Sequence, residues 1–231
     1  MSRYTRENQY IALLALKPHT VKELSEKLFV SEPTVRRDIA ELRSRDMVKS
    51  KNGLVSLKTT APDQRIPLFI RHLEKHDEKR LIAQKASELV SDGNVIMLDA
   101  STTAFHILPH LVNFKNILLI TNGAKTAIEA ASMGIRTITA GGEMALESFS
   151  YIGCDAESVL SKYNADIAFF SCRGVSDSGL ATDNSIFENN IRRIMIERSA
   201  KSYLLCDKSK FGKTYLNTLC KLEDIDGMIT E

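Results

Sequence analysis

The chain has 231 residues, longer than one typical domain and short for three, so two domains are expected, one of them small. With 43% apolar and 26% charged residues it can bury a core, which excludes a disordered or fibrous chain. The net charge of +2 conceals an asymmetry: residues 1–58 carry 12 Lys and Arg against 7 Asp and Glu, a surplus of +5, and the remainder sums to −3.

Basic character thus concentrates in the first quarter. Cys154, Cys172, Cys206 and Cys220 are widely spaced, with no C-x-x-C pair or histidine cluster that reads as a zinc site. They read as reduced thiols. The opening MSRYTRENQY holds no apolar signal core, and the longest apolar runs are far too short to span a bilayer. A soluble, cytoplasmic protein is expected.

Residues 6–16 place Ile11, Leu13, Leu14 and Leu16 at roughly helical spacing, closed by Pro18. Thr20 is the N-cap of a second short helix with Val21, Leu24 and Leu28 on one face. Ser31 caps a third, with Pro33 in its first turn and Val35, Ile39 and Leu42 burying one side. That burial points Thr34, Arg36 and Arg37 outward. Residues 47–57 read as two strands around Asn52-Gly53, a pair that accepts the positive φ angles of a tight hairpin. Three helices and a hairpin make a winged helix-turn-helix over 1–58. Residues 59–77, with Pro62 and Pro67, form the linker, and 66–73 a short connecting helix.

From residue 78 helices and strands alternate. Helices are predicted at 78–90, 102–111, 124–132 and 186–199, and strands at 94–98, 117–121, 137–139, 167–170, 203–206 and 227–230. Strands separated by helices favour an α/β domain with a mostly parallel sheet covered on both faces.

A helix opening with Ser31, Glu32, Thr34, Arg36 and Arg37 suits the major groove. Its first side chains meet base edges and phosphates, arginine offers guanine two parallel donors, and Ser31 or Thr34 can hold a phosphate. The alternative is a helix whose arginines only solvate its face. In the second domain, polar turns follow strands where open parallel sheets place ligands. Asp99, Ser101, Thr102 and Thr103 follow the first strand, and Thr121, Asn122 and Gly123 the next; Gly141-Gly142, Arg173-Gly174 and Asp207 to Lys210 are further candidates. Each alone is as easily a helix cap; together they describe a site for an anionic sugar. His72 and His76, and His106 and His110, are each four apart, but no carboxylate or cysteine completes a metal set. No metal or cofactor is expected. Ile191, Ile194 and Met195 read as core.

The segment VKELSEKLFVSEPTVRRDIAEL resembles the helix-turn-helix of the DeoR family of transcriptional regulators. The pieces GNVIMLDASTT, ITNG, AGGE, YIG, ADIAFFSCRG, GLAT, CDKSKFG and DIDGMIT follow in family order, so the resemblance covers nearly the whole chain. It implies a winged helix-turn-helix joined to a sensor domain, 78–231, of the ribose-phosphate-isomerase-like (Rossmann-like) fold. It also implies a repressor of a carbohydrate operon, acting as a homodimer or homotetramer on double-stranded operator DNA under a phosphorylated-sugar effector. By motif, Asp99, Ser101, Thr102, Thr103, Thr121, Asn122, Gly142 and Lys210 would bind effector. Two departures stand out. The family's basic, glycine-rich wing of the R-x-H-G-G type is reduced to Lys49, Lys51 and Gly53. Where relatives read A-D-G, this chain has Cys172-Arg173-Gly174, which favours a more anionic effector contacted by Arg173 unless Arg173 pairs with Glu188 or Asp183. A sugar-phosphate isomerase is the rival reading, with Asp177 or Asp183 as its base. An activator in place of a repressor is a third.

Overall fold

The computed structural model describes residues 3–58, 71–72 and 74–231. Two compact units divide the chain, Met1–Glu74 and Lys75–Glu231. The linker prolines Pro62 and Pro67 lie outside the described residues, as does nearly all of the short helix expected at 66–73.

In the first unit, helices α1 (Arg3–Leu16), α2 (Val21–Leu28) and α3 (Glu32–Ser44) are joined by a two-residue strand β1 (His19–Thr20) and followed by the hairpin β2 (Val48–Lys51) and β3 (Leu54–Leu57). Thr20 closes a capping box on α2: its hydroxyl accepts from the Glu23 amide at 3.1 Å, and its own amide donates to the Glu23 carboxylate at 2.7 Å. Ser31 caps α3 by a single bond, accepting from the Thr34 amide at 3.4 Å. Asn52 (φ 52°) and Gly53 (φ 75°) make the hairpin turn, with Lys51 paired to Leu54. Val35, Ile39 and Leu42 of α3 pack with Tyr10, Ile11 and Leu14 of α1, Leu24 of α2, and Val48 and Val55 of the hairpin. Asp38 is buried within that face. It accepts from Arg6 Nε at 3.0 Å and Tyr10 Oη at 3.3 Å, so an ion pair ties α3 to α1. Burial first, and the Asp38 charge second, push the Tyr10 phenol up to about 12.

The second unit is α/β. After helix α4 (His76–Ser87), strands β4 (Val95–Leu98), β5 (Leu118–Thr121), β6 (Arg136–Thr139), β9 (Ala165–Ser171), β12 (Ser199–Leu205) and β14 (Gly227–Ile229) form a parallel sheet in the order β14-β12-β9-β4-β5-β6. Because strand side chains alternate between faces, Ile96 and Leu98 join Leu119, Ile167 and Phe169 under α4. Met97, Ile120 and Ala168 face the other way, toward Ala156, Leu160, Ile191 and Met195 of helices α8 (Gly153–Leu160) and α9 (Ile186–Glu197).

The single helix expected at 102–111 is two: α5 (Thr102–Phe105) and α6 (Leu108–Leu111). Pro109 has no amide to donate back to Phe105, and the residues between turn with short bonds, His106 to Thr103 at 3.2 Å and Ile107 to Ala104 at 3.0 Å. Helix α7 (Ala124–Ser132) follows β5 as expected, whereas α9 stops at Glu197 because Ser199 already pairs with Ala165. A hairpin of β7 (Glu143–Ala145) and β8 (Ser150–Ile152) adds to the expected order. So does a small antiparallel sheet of β10 (Gly174–Val175), β11 (Leu180–Asp183) and β13 (Asn217–Lys221).

Candidate functional site

On α3, the face opposite the core is open. Arg36 and Arg37 are exposed, Thr34 is half-buried, and Ser31 stands exposed at the helix start. The Ser31 and Thr34 hydroxyls lie 2.8 Å apart, and Glu32 pairs with Arg36 at 3.1 Å, an exposed contact that a phosphate can displace at little cost. Arg37 has no ion-pair partner among the described residues. Lys49 and Lys51 are both exposed on β2 and, two residues apart, lie on the same face of that strand. The structure thus leaves Ser31, Thr34, Arg36 and Arg37 along one helix edge and keeps both wing cations in solvent.

In the second unit, parallel pairing delivers every strand-end turn to the same end of the sheet. Asp99 to Thr103 follow β4, Asn122 follows β5, Gly142 follows β6, Arg173 follows β9, and Asp207 to Lys210 follow β12. The turns are not equally close. The strands carrying Lys210 and Gly142 are four inter-strand spacings apart, about 19 Å, so the Asp99, Arg173 and Lys210 turns form one neighbourhood and Gly142 its far margin. Gly142 also has a backbone reason to be glycine: its φ is +98°, and a Cβ there would meet Asp155 and Ala156 at 3.2–3.3 Å.

The centre of this end is Arg192, a residue the sequence reading passed over. Only 6% exposed, it donates from Nε to Asp99 Oδ2 at 2.9 Å, from Nη1 to Asp183 Oδ2 at 2.9 Å, and reaches Glu188 Oε2 at 3.4 Å. Burial opposes its charge, but Asp183, Asp99 and Glu188 outweigh it and hold the guanidinium firmly ionised. Asp99 spends its remaining capacity on the Ser101 amide at 3.1 Å and the Ser171 amide at 3.2 Å, so its oxygens already hold the turn in shape. Glu188 accepts from Ser150 Oγ at 3.0 Å, which brings in the β7–β8 hairpin. A signal for this residue exists in the sequence: Glu188 and Arg192 are four apart on the same helix face as Ile191 and Met195, and an arginine in an apolar stripe needs buried partners.

Of the two partners the sequence offered Arg173, the structure selects Asp183, at 3.7 Å; the guanidinium also lies over the Tyr215 ring, 5.6 Å from its centroid. Because Asp183 is shared with Arg192, it offsets the Arg173 charge only in part, and the Arg173 side chain keeps 34% of its surface in solvent. Burial raises the Asp183 carboxyl, but Arg192, Arg173 and the Asn184 amide together hold it below its ordinary value. Lys210 donates to Ser171 Oγ at 2.8 Å and stands 3.9 Å from Asp207. Ser101 and Thr121 act as local caps, accepting from the Ala104 amide at 3.1 Å and the Gly123 amide at 3.0 Å. Asn122 donates to the Tyr151 carbonyl at 3.1 Å, and its buried Oδ1 has no hydrogen-bond partner among the described residues. Thr102 and Thr103, at the first turn of α5, have amides with no carbonyl of their own helix to bond.

Among the described residues, no three His, Cys, Asp or Glu side chains gather as a metal site requires, and no helix is long and apolar enough to cross a membrane. The ring of His106 stacks edge-on against His76 at 5.2 Å.

Comparison with known proteins places each unit. Residues 6–60 match the DeoR-like helix-turn-helix domain, and residues 74–231 match the DeoR C terminal sensor domain. The lactose phosphotransferase system repressor of Staphylococcus epidermidis is 32% identical over 236 residues, covering 100% of this chain and 93% of that one. The L-fucose operon activator of Escherichia coli is 29% identical over 214 residues, covering 92% and 88%. Both are named for control of transcription and neither for catalysis. Among solved structures, eIF2B delta from Chaetomium thermophilum aligns with a TM-score of 0.51 at 17% identity over 67% of this chain. This chain spans little more than half of that one, 56%, and the likeness is one of fold.

Proposed function

The chain belongs to the DeoR family of helix-turn-helix transcriptional regulators, and from that premise we propose that it represses a carbohydrate uptake or metabolism operon under the control of a phosphorylated sugar. The observation that carries the DNA half is the division of α3 into two faces. Val35, Asp38, Ile39 and Leu42 are locked to the rest of the unit, which presents Ser31, Thr34, Arg36 and Arg37 as a rigid edge. In the proposed complex the arginines read base edges, Ser31 and Thr34 take phosphates at the helix start, Glu32 orients Arg36, and Lys49 and Lys51 add backbone contacts.

In the second unit the phosphate is held by Lys210, Arg173 and the amides and hydroxyls of Ser101, Thr102 and Thr103. The sugar lies toward Thr121 and Asn122, whose unpaired Oδ1 suits a hydroxyl donor. Asp99 holds its turn through Arg192, and Gly142 borders the site. Effector acts by favouring a conformation whose paired recognition helices mismatch the operator half-sites; a ligand that bound both conformations equally would change nothing. Two half-sites imply a homodimer or homotetramer working in the cytoplasm. The names of the two relatives, one a repressor and one an activator, support an operon of sugar metabolism as the target.

Arg36→Ala and Arg37→Ala test this. Each is expected to lose about 1–3 kcal/mol of operator affinity, roughly 5- to 150-fold, with an unchanged circular dichroism spectrum. Unchanged affinity of both variants in a gel-shift titration refutes the assignment of α3.

A further inference from the structure

The pairing of β9 with β12 ends with Ser171 opposite Leu205. One residue on, Cys172 and Cys206 leave neighbouring parallel strands at the same level and on the same face, beside Phe170 and Leu204 in one buried cluster. Neighbouring strands hold α-carbons about 4.8 Å apart, inside the span of about 4.4–6.8 Å that a disulfide bridges. The two sulfurs are close enough to act on one another's ionisation, while the Cys206 thiol donates to the Asp207 carbonyl at 3.6 Å. Both are reduced and nearly closed to solvent, at 4% and 0% exposure, so a small oxidant suits them and a bulky thiol reagent does not.

We propose that Cys172 and Cys206 are a modification site, converted by peroxide into an intrachain disulfide that ties the Arg173 turn to the Asp207–Lys210 turn. The two thiols have different roles. The neighbouring Cys206 thiol, working against burial and with Lys210 and Arg192, holds Cys172 below its ordinary range, while Cys172 and burial push Cys206 up. The Cys172 thiolate attacks peroxide: an S–O bond forms, the O–O bond breaks, and the departing oxygen leaves as water after taking a proton. The Cys206 sulfur then attacks the sulfenic sulfur. The S–S bond forms, the S–O bond breaks, and the oxygen departs as a second water carrying the Cys206 proton. Hydrogen peroxide is reduced to water and the thiol pair is oxidised, and a dithiol reductant reverses the change. That the tied turns hold an effector rests on the function proposed above; the disulfide does not.

The experiment is peroxide treatment of the folded full-length protein, followed by intact mass and non-reducing peptide mapping. The expected result is a protein lighter by two hydrogens, a cross-linked peptide pair containing Cys172 and Cys206, and recovery of the original mass with dithiothreitol. Hydrogen exchange at 207–210 should slow on oxidation of the wild type and stay unchanged in Cys206→Ser. Oxygen added only at the exposed Cys154, or a cross-link from Cys172 to the half-buried Cys220, overturns the proposal; both outcomes are readable in the wild-type protein alone.

Discussion

Replacing Arg192 by alanine removes the cation that three carboxylates share, leaving Asp183 with Arg173 alone at 3.7 Å. Asp99 and Asp183 lie at 2.9 Å with 1% and 6% exposure, and Glu188 at 3.4 Å. Removing one partner of a buried pair costs about 3–5 kcal/mol, because the charge left behind keeps its desolvation penalty. Against a domain stability of about 5–15 kcal/mol, Arg192→Ala should remove a third or more of it. The pH dependence separates charge from packing. In the wild type Asp183 is held below its ordinary value, so its contribution is complete above about pH 4 and fades as acid protonates it. In the variant only Arg173 and the Asn184 amide still oppose burial, so the Asp183 carboxyl rises relative to the wild type and the variant gains less stability than the wild type as pH rises through about 4. The gap between the two proteins should therefore be widest at neutral pH and close toward pH 4. Arg192→Met, which keeps most of the volume, should lose nearly as much. The chain has no tryptophan, so urea unfolding is followed by circular dichroism at 222 nm. A loss below about 1 kcal/mol at pH 7, or one that does not shrink toward pH 4, would mean that Arg192 is not holding these carboxylates.

Two further outcomes are expected. Phe29 ends α2 in a left-handed conformation, φ 53°, with 95% of its side chain exposed. Phe29→Gly should raise stability by about 0.5–1 kcal/mol, since relief of left-handed strain outweighs the added freedom of the unfolded chain; a lower urea midpoint would contradict this. Lys210→Ala should leave operator affinity within twofold while abolishing stabilisation by phosphorylated sugars, which at a hundredfold excess over Kd is about 2.7 kcal/mol for the intact protein. A thermal-shift screen reads both proteins side by side, and an undiminished shift in the variant removes Lys210 from the site.

Much of the scaffold was legible in the sequence because its signals are local. Thr20 and Ser31 announce helix starts, Asn52-Gly53 announces a hairpin, and the apolar runs of β4, β5 and β9 are long enough to be read as buried strands. What escaped reading depends on partners far away along the chain. Arg192 meets Asp99 across 93 residues, and Asp38 meets Arg6 across 32; neither charge carries a local mark of burial beyond its place in an apolar stripe. The small antiparallel sheet was equally hidden. β10 has two residues, and β13, Asn217–Lys221, exposes Thr218 and Lys221, so neither shows an apolar run or clean alternation. In the ligand end, the turns themselves could be named from strand ends, but which of them lie together follows from the strand order, which puts β6 at the edge and β9 beside β4. The pairing of Arg173 with Asp183 likewise needed β11 to be placed, and it changes the electrostatics inferred from the Cys172-Arg173-Gly174 triplet.

Selection of one DNA sequence by α3 is what the proposed repressor requires above all. The direct measurement titrates the full-length protein against a fluorescent duplex of the promoter beside its own gene and against a shuffled duplex of equal length, at two salt concentrations. Binding to the promoter duplex is expected to be at least about 1,000-fold tighter than to the shuffled one and to weaken steeply with salt as phosphate contacts are screened. Equal affinity for the two duplexes, or no binding to either, would contradict it.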